Sequence, residues 1–176
     1  MSQLIVLSAI GTDRTGVVQD ISKVILGCGG NIEESRMTTL GAEFAVLMLV
    51  SGNWHTLDRL ERGLEKLSNG DNLTFAIRKT GERPPQDDRM PYAVDVISLD
   101  QQGIVFGLAN FFASREIEIA DVATRGYSAA HTGAPMFAVQ MAVNVPSAVN
   151  LAQLRDDFAD MCDRMNLDGI LEPVKA

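Results

Sequence analysis

The residues best suited to bind a small ligand lie in one short segment, Gly11-Thr12-Asp13-Arg14-Thr15-Gly16, between an apolar run and an amphipathic one. Asp13 or Thr15 can cap a helix that begins just after the segment. That leaves backbone N–H groups and the positive end of the helix dipole at its mouth. Gly16 has no Cβ, so a ligand or another backbone segment can approach it closely. A helix start of this kind suits a carboxylate, and every amino acid carries one. Asn31 offers an amide that both donates and accepts, and Glu33, Glu34 or Asp13 can pair an ammonium group. The plainer alternative is that Asp13 only caps and Gly16 only packs.

The other reactive side chains do not form sets. His55 and His131 lie in separate segments with no cysteine or carboxylate at ligand spacing, so neither a metal nor a cofactor is expected. Cys28 falls on the apolar stripe of a helix and Cys162 lies beside Met161, which suits small core residues better than nucleophiles. Met161 and Met165 continue a core stripe, and Asp156, Asp157 and Asp160 read as a solvated helix face. Gly27, Gly29 and Gly30 end a helix instead of opening one, so they are not a dinucleotide fingerprint. No nucleophile–base pair is left over, and the chain is expected not to be an enzyme.

Composition narrows the partners. The 176 residues are 46% hydrophobic and 22% charged, ordinary values for a folded chain, with a net charge of −8. Phosphate backbones repel such a chain, and its Lys and Arg residues form no basic patch, so direct nucleic-acid binding is not expected. The longest apolar run, Phe44 to Val50, is the length of a strand and too short to span a bilayer. The opening Met-Ser-Gln-Leu-Ile is not a secretory signal, and with only two cysteines the simple reading is a cytoplasmic protein.

The chain repeats itself. Asp13-Arg14-Thr15-Gly16-Val17-Val18 returns as Asp100-Gln101-Gln102-Gly103-Ile104-Val105, displaced by 87 residues, and Ile21, Val24, Ile25 and Ile32 follow at the same offset. An insertion within Ser128–Pro135 raises the offset to 93 for Phe44, Val46 and Met48. The offset is 94 for Leu57, Leu60, Leu64 and Leu67 against Leu151, Leu154, Phe158 and Met161. Each half reads as strand, helix, strand, strand, helix, strand. Helix-face spacing at 17, 18, 21, 24, 25 and 28 sets the first helix, and alternation over Phe137–Val145 sets a strand with one buried face. The expected fold is α+β: two tandem ferredoxin-like βαββαβ domains with antiparallel sheets. They would occupy residues 1–80 and 92–176, joined by a polar, proline-bearing linker at 81–91.

The tandem repeat, the D-R-x-G-V-V start of the first helix and the run Gly30-Asn31-Ile32-Glu33-Glu34-Ser35-Arg36 resemble the ACT domain, a small ligand-sensing module. L-G-x-E-F at Leu40–Phe44 and M-L-x-S-G-x-W ending at Trp54 extend the resemblance. It implies an amino-acid ligand held at an interface between two units, against the first strand–helix loop and the start of the second strand. Carried onto this chain, that points to Asp13, Gly16 and Asn31, with a backbone contact from Ile32. Asp100, Gly103 and Glu118 form a second, weaker set, because Gln101 and Gln102 replace Arg-Thr and Glu118 stands where Asn31 stood. The resemblance further implies glycine as the signal. It suggests a negative regulator that contacts a DNA-binding transcriptional activator instead of DNA. A regulatory subunit controlling a metabolic enzyme directly is the alternative. Exposed sheet edges leave homo-oligomers open.

Overall fold

The computed structural model describes residues 3–85 and 88–174. The chain divides into two compact units, residues 1–84 and 85–176. The first runs β1 (Gln3–Thr12), α1 (Val17–Gly27), β2 (Asn31–Leu40), β3 (Glu43–Gly52), α2 (Trp54–Asp71) and β4 (Leu73–Thr80). Its sheet has the order β2-β3-β1-β4, and every pairing is antiparallel. The second repeats this plan with β5 (Arg89–Leu99), α3 (Ile104–Ala113), β6 (Glu118–Ser128), β7 (Pro135–Pro146), α4 (Leu151–Met165) and β8 (Asp168–Pro173), in sheet order β6-β7-β5-β8. Arg89, Met90 and Pro91, which the sequence places in the linker, are the first residues of β5 and pair with β7.

Alternation decides which face is buried. Ile5, Leu7 and Ala9 of β1 and Phe44, Val46, Met48 and Val50 of β3 turn inward onto Val17, Ile21 and Ile25 of α1 and Leu57, Leu60 and Leu64 of α2. The second unit packs Val94 and Val96 with Val139, Met141 and Val143 under Leu108, Phe112, Leu154 and Phe158. Both helices lie on one side of each sheet, so side chains such as Val6 and Leu47 line an open face. Among the described residues no helix is long and apolar enough to cross a membrane.

The repeats share their irregularities as well as their regular elements. Asn53 and Asn150 cap α2 and α4 through side-chain oxygens that accept backbone N–H groups. Asn72 and Asn166 end the same helices in the left-handed region, at φ 50° and 53°. A β-bulge interrupts β2 between Ile32 and Glu34 and β6 between Ile119 and Asp121, leaving Glu33 and Ala120 as the extra residues. The inserted Ser128–Pro135 segment closes a hairpin in which Ala129 N donates to Ala134 O at 2.9 Å.

One surface expectation changes, and the two cysteines fall where the apolar stripes put them. Asp156 and Asp160 are exposed, but Asp157 is half-buried and accepts from Arg115 at 2.9 Å, while Arg115 also lies over the Phe111 ring. This bond, with one from Gln153, holds the Asp157 carboxyl below its ordinary pKa. Cys28 is half-buried at the edge of its core. Cys162 is buried, and burial pushes its thiol pKa up.

Candidate functional site

The loop before α1 is a type II turn. Val17 N donates to Arg14 O at 3.4 Å, and Gly16, the third residue of the turn, sits at φ 90° and ψ −4°. L side chains disfavour that conformation, so this glycine carries a backbone requirement. The N-cap of α1 is Gly16 itself, and no side chain caps it. This corrects the expectation that Asp13 or Thr15 would cap: the turn leads into the helix before either side chain can fold back over its first turn. The Val17 N–H is used by the turn, and the next N–H groups of the first turn have no side-chain acceptor.

Asp13 anchors the loop instead. Its N–H donates to Ala42 O at 3.0 Å in the β2–β3 hairpin, and its carboxylate accepts from Thr39 Oγ1 at 3.4 Å. Arg14 is a residue that sequence reasoning missed. Its guanidinium donates to Asp20 Oδ2 at 2.7 Å and to Thr15 O at 3.3 Å, which places a cation beside the first turn of α1. The signal available was a basic residue next to a helix start, where an incoming carboxylate finds charge and N–H donors together.

Asn31 belongs to a different cluster. At the β2 bulge, Glu33 Oε1 accepts from Asn31 Nδ2 at 3.0 Å and from Ser51 Oγ at 2.5 Å. Those bonds, Ser51 first, hold the Glu33 carboxyl below its ordinary pKa. Ile32 is half-buried and packs on the core. A shallow cleft of about 910 Å³ opens beside Glu33 and Ser51, with Lys79 and Glu82 across it, so charges of both signs face it. Ser51 was also missed. It lies 20 residues from Asn31, and only the β2–β3 register makes them direct partners.

The two clusters stand at opposite ends of one sheet. Asn31 pairs with Ser51, which lies opposite Leu4 near the start of β1. Asp13 follows Thr12, which pairs with Glu43 at the other end of the same ladder. Nine residue steps along β1 amount to about 30 Å. Asp13 and Gly16 are therefore brought together, and so are Asn31 and Ile32, but one unit does not bring the two pairs together.

In the second unit, Gly103 reproduces the turn at φ 90° and ψ 0°. Asp100 N donates to Pro135 O at 2.9 Å, matching the tie that Asp13 makes. Gln101, in the place of Arg14, donates to Met165 O at 2.7 Å and joins the loop to the end of α4. Glu118 is at the far end of this sheet, accepting from Asn144 Nδ2 at 3.4 Å with Arg89 at 3.9 Å. A carboxylate only accepts where the Asn31 amide also donates, so the two units present different chemistry.

The ACT-domain signature matches residues 3–78. A crystal structure described as a glycine cleavage system transcriptional repressor is 30% identical to the chain, covering 100% of this chain and 99% of its own at a TM-score of 0.73. The chain belongs to the ACT-domain family. Over 170 residues this ACT protein is also 28% identical to the glycine cleavage system transcriptional repressor of Escherichia coli K12, covering 97% of the chain and 90% of that relative. An unknown protein from Galdieria sulphuraria has the same tandem fold, with a TM-score of 0.82 at 26% identity over 99% of this chain and 100% of its own.

Of the remaining ACT-protein residues singled out in the sequence, Trp54 and His55 stack on each other at 3.4 Å between ring centroids, with Trp54 exposed. His131 is exposed in the inserted hairpin.

Proposed function

We propose that this ACT protein is a non-catalytic regulator that binds an amino acid, glycine, and restrains transcription of a glycine cleavage system. It does so in the cytoplasm by contacting a DNA-binding activator, not DNA. The observation that carries the ligand reading is the separation of the two half-sites within one unit. A ligand held by both would lie between the first units of two copies of the chain, with the Asp13–Gly16 loop of one copy facing the Asn31–Ile32 strand start of the other. The open first turn of α1 and Arg14 suit its carboxylate, and the Asn31 amide with the Glu33 carboxylate suits its ammonium group. The identity of the signal and the transcriptional role are supported by the relatives that share nearly the whole chain. Asp100, Gly103 and Glu118 would form a weaker second site, since the uncharged Gln101 stands in place of Arg14 and Glu118 in place of the Asn31 amide.

Titrating millimolar glycine into ¹⁵N-labelled protein tests this. Amides of Gly16–Gln19 and of Asn31–Glu33 should shift together with one midpoint, and sedimentation should show a species of twice the chain mass. Shifts confined to one cluster, or none at either, would overturn the shared site.

A further inference from the structure

The first unit carries an open groove that its repeat has closed. β4 is an edge strand, so alternate backbone N–H and C=O groups along it have no strand partner on the outer side. Between β4 and α2 runs a groove of about 510 Å³ with Leu64, Phe75 and Ile77 on its floor and Glu61 and Glu65 on its rim. Phe75 and Ile77 are only half-buried, although they turn toward the helix side of the sheet. Neither glutamate forms an ion pair with a described residue.

The repeat shows what a filled version looks like. In the second unit, the positions of Leu64, Ser68 and Phe75 are held by Phe158, Cys162 and Gly169. There the Phe158 ring and the Cys162 sulfur lie within 3.2 Å of where a Gly169 Cβ would stand, and Leu171 is buried. Arg155 and Ala159 replace the two rim glutamates. The same fold thus closes this groove by its own side chains in one unit and leaves it apolar, open and acidic-rimmed in the other.

We infer that the β4–α2 groove docks an extended segment of another protein, whose backbone adds to β4 and whose apolar side chains, flanked by Lys or Arg, fill the groove. Strand addition supplies hydrogen bonds to the free edge, and the pleat places every second side chain of the incoming strand over Phe75 and Ile77. The unpaired carboxylates of Glu61 and Glu65 select basic flanks. Lys79, the next helix-side residue beyond Ile77, marks the end of that acidic stretch. The surface answers the need for a protein contact in the proposed function and rests on that reading only for what the partner does.

The test uses the full chain and two fluorescein-labelled octapeptides, T-K-T-V-T-V-T-K and its counterpart with Glu in place of each Lys. The Lys peptide should bind and shift amides of β4 and α2 while leaving β2 unmoved. Glu61→Lys combined with Glu65→Lys should weaken it about tenfold or more and confer binding of the Glu peptide. Equal binding of both peptides, shifts outside β4 and α2, or chain self-association that buries β4 without peptide would each overturn the assignment. Circular dichroism of the double variant checks that the fold persists. Because glycine titration reads other residues, failure here leaves the ligand reading standing, and the reverse also holds.

Discussion

Replacing Gly16 with alanine isolates the cost of the turn that shapes the candidate ligand loop. At φ 90° an added Cβ would meet only Arg14 Nη1, at 3.8 Å, so no clash contributes. The penalty is the left-handed backbone of an L-residue, about 1–2 kcal/mol. Reduced freedom of the unfolded chain returns roughly 0.4–1 kcal/mol of that, leaving a net loss of about 1 kcal/mol. At roughly 0.05–0.15 kcal/mol per residue, a unit spanning residues 1–84 has about 4–12 kcal/mol to draw on, so it stays folded. For a domain of this size the loss lowers Tm by about 4–8 °C. Thermal melts followed through amide signals of the first unit should show that drop, and Gly16→Asn should lose less because asparagine tolerates the left-handed region. Gly103→Ala, also at φ 90° with nothing within 4 Å of the added Cβ, should destabilise the second unit by a similar amount. An unchanged Tm for Gly16→Ala would refute the turn assignment. The folded variant also separates two roles for this residue. Loss of the glycine response would place Gly16 on the ligand's approach, whereas an intact response would leave it a turn residue alone.

Two further outcomes follow from the geometry. Glu33 should titrate below an ordinary glutamate in a ¹³C-carboxyl experiment, and Ser51→Ala should move its midpoint upward, because Ser51 is the larger of the two donors that lower it. With the folded-state pKa depressed, the stabilising contribution is present above the unfolded pKa and fades as pH falls through the folded one. A Glu33 midpoint indifferent to Ser51→Ala would contradict the cluster. Asn53→Ala removes the acceptor for Thr56 N and Thr56 Oγ1 and should cost about 1 kcal/mol, read as a lower denaturant midpoint with an unchanged slope. A midpoint that stays in place would show that the cap contributes nothing to α2.

Much of the fold was legible because its signals are local. Helix-face spacing from Val17 to Cys28 and alternation from Phe137 to Val145 each identify an element and its buried side without knowledge of any neighbour. The ordered offsets supplied the two-unit organisation. Gln101 and Glu118 read as departures from the first unit, and in the structure Gln101 donates to Met165 O while Glu118 accepts from Asn144. The cap of α1 was misjudged because a turn controlled by a positive φ at Gly16 outweighs side-chain propensity. Arg89, Met90 and Pro91 were misplaced because ladder pairing with β7 overrides a proline-rich composition.

Periodicity and residue chemistry are properties of short segments, so the elements, the repeat, the inward faces and the two groups of ligand-type residues can be read along the chain. How those groups relate in space depends on strand pairing. Register sets which residues meet across strands. That is why Ser51 joins Asn31 and Glu33, and why Asp13 and Gly16 stand a full strand length away. Tertiary packing also leaves the groove beside edge strand β4 half-filled and closes the one beside edge strand β8, since Phe158 and Cys162 pack against Gly169 there.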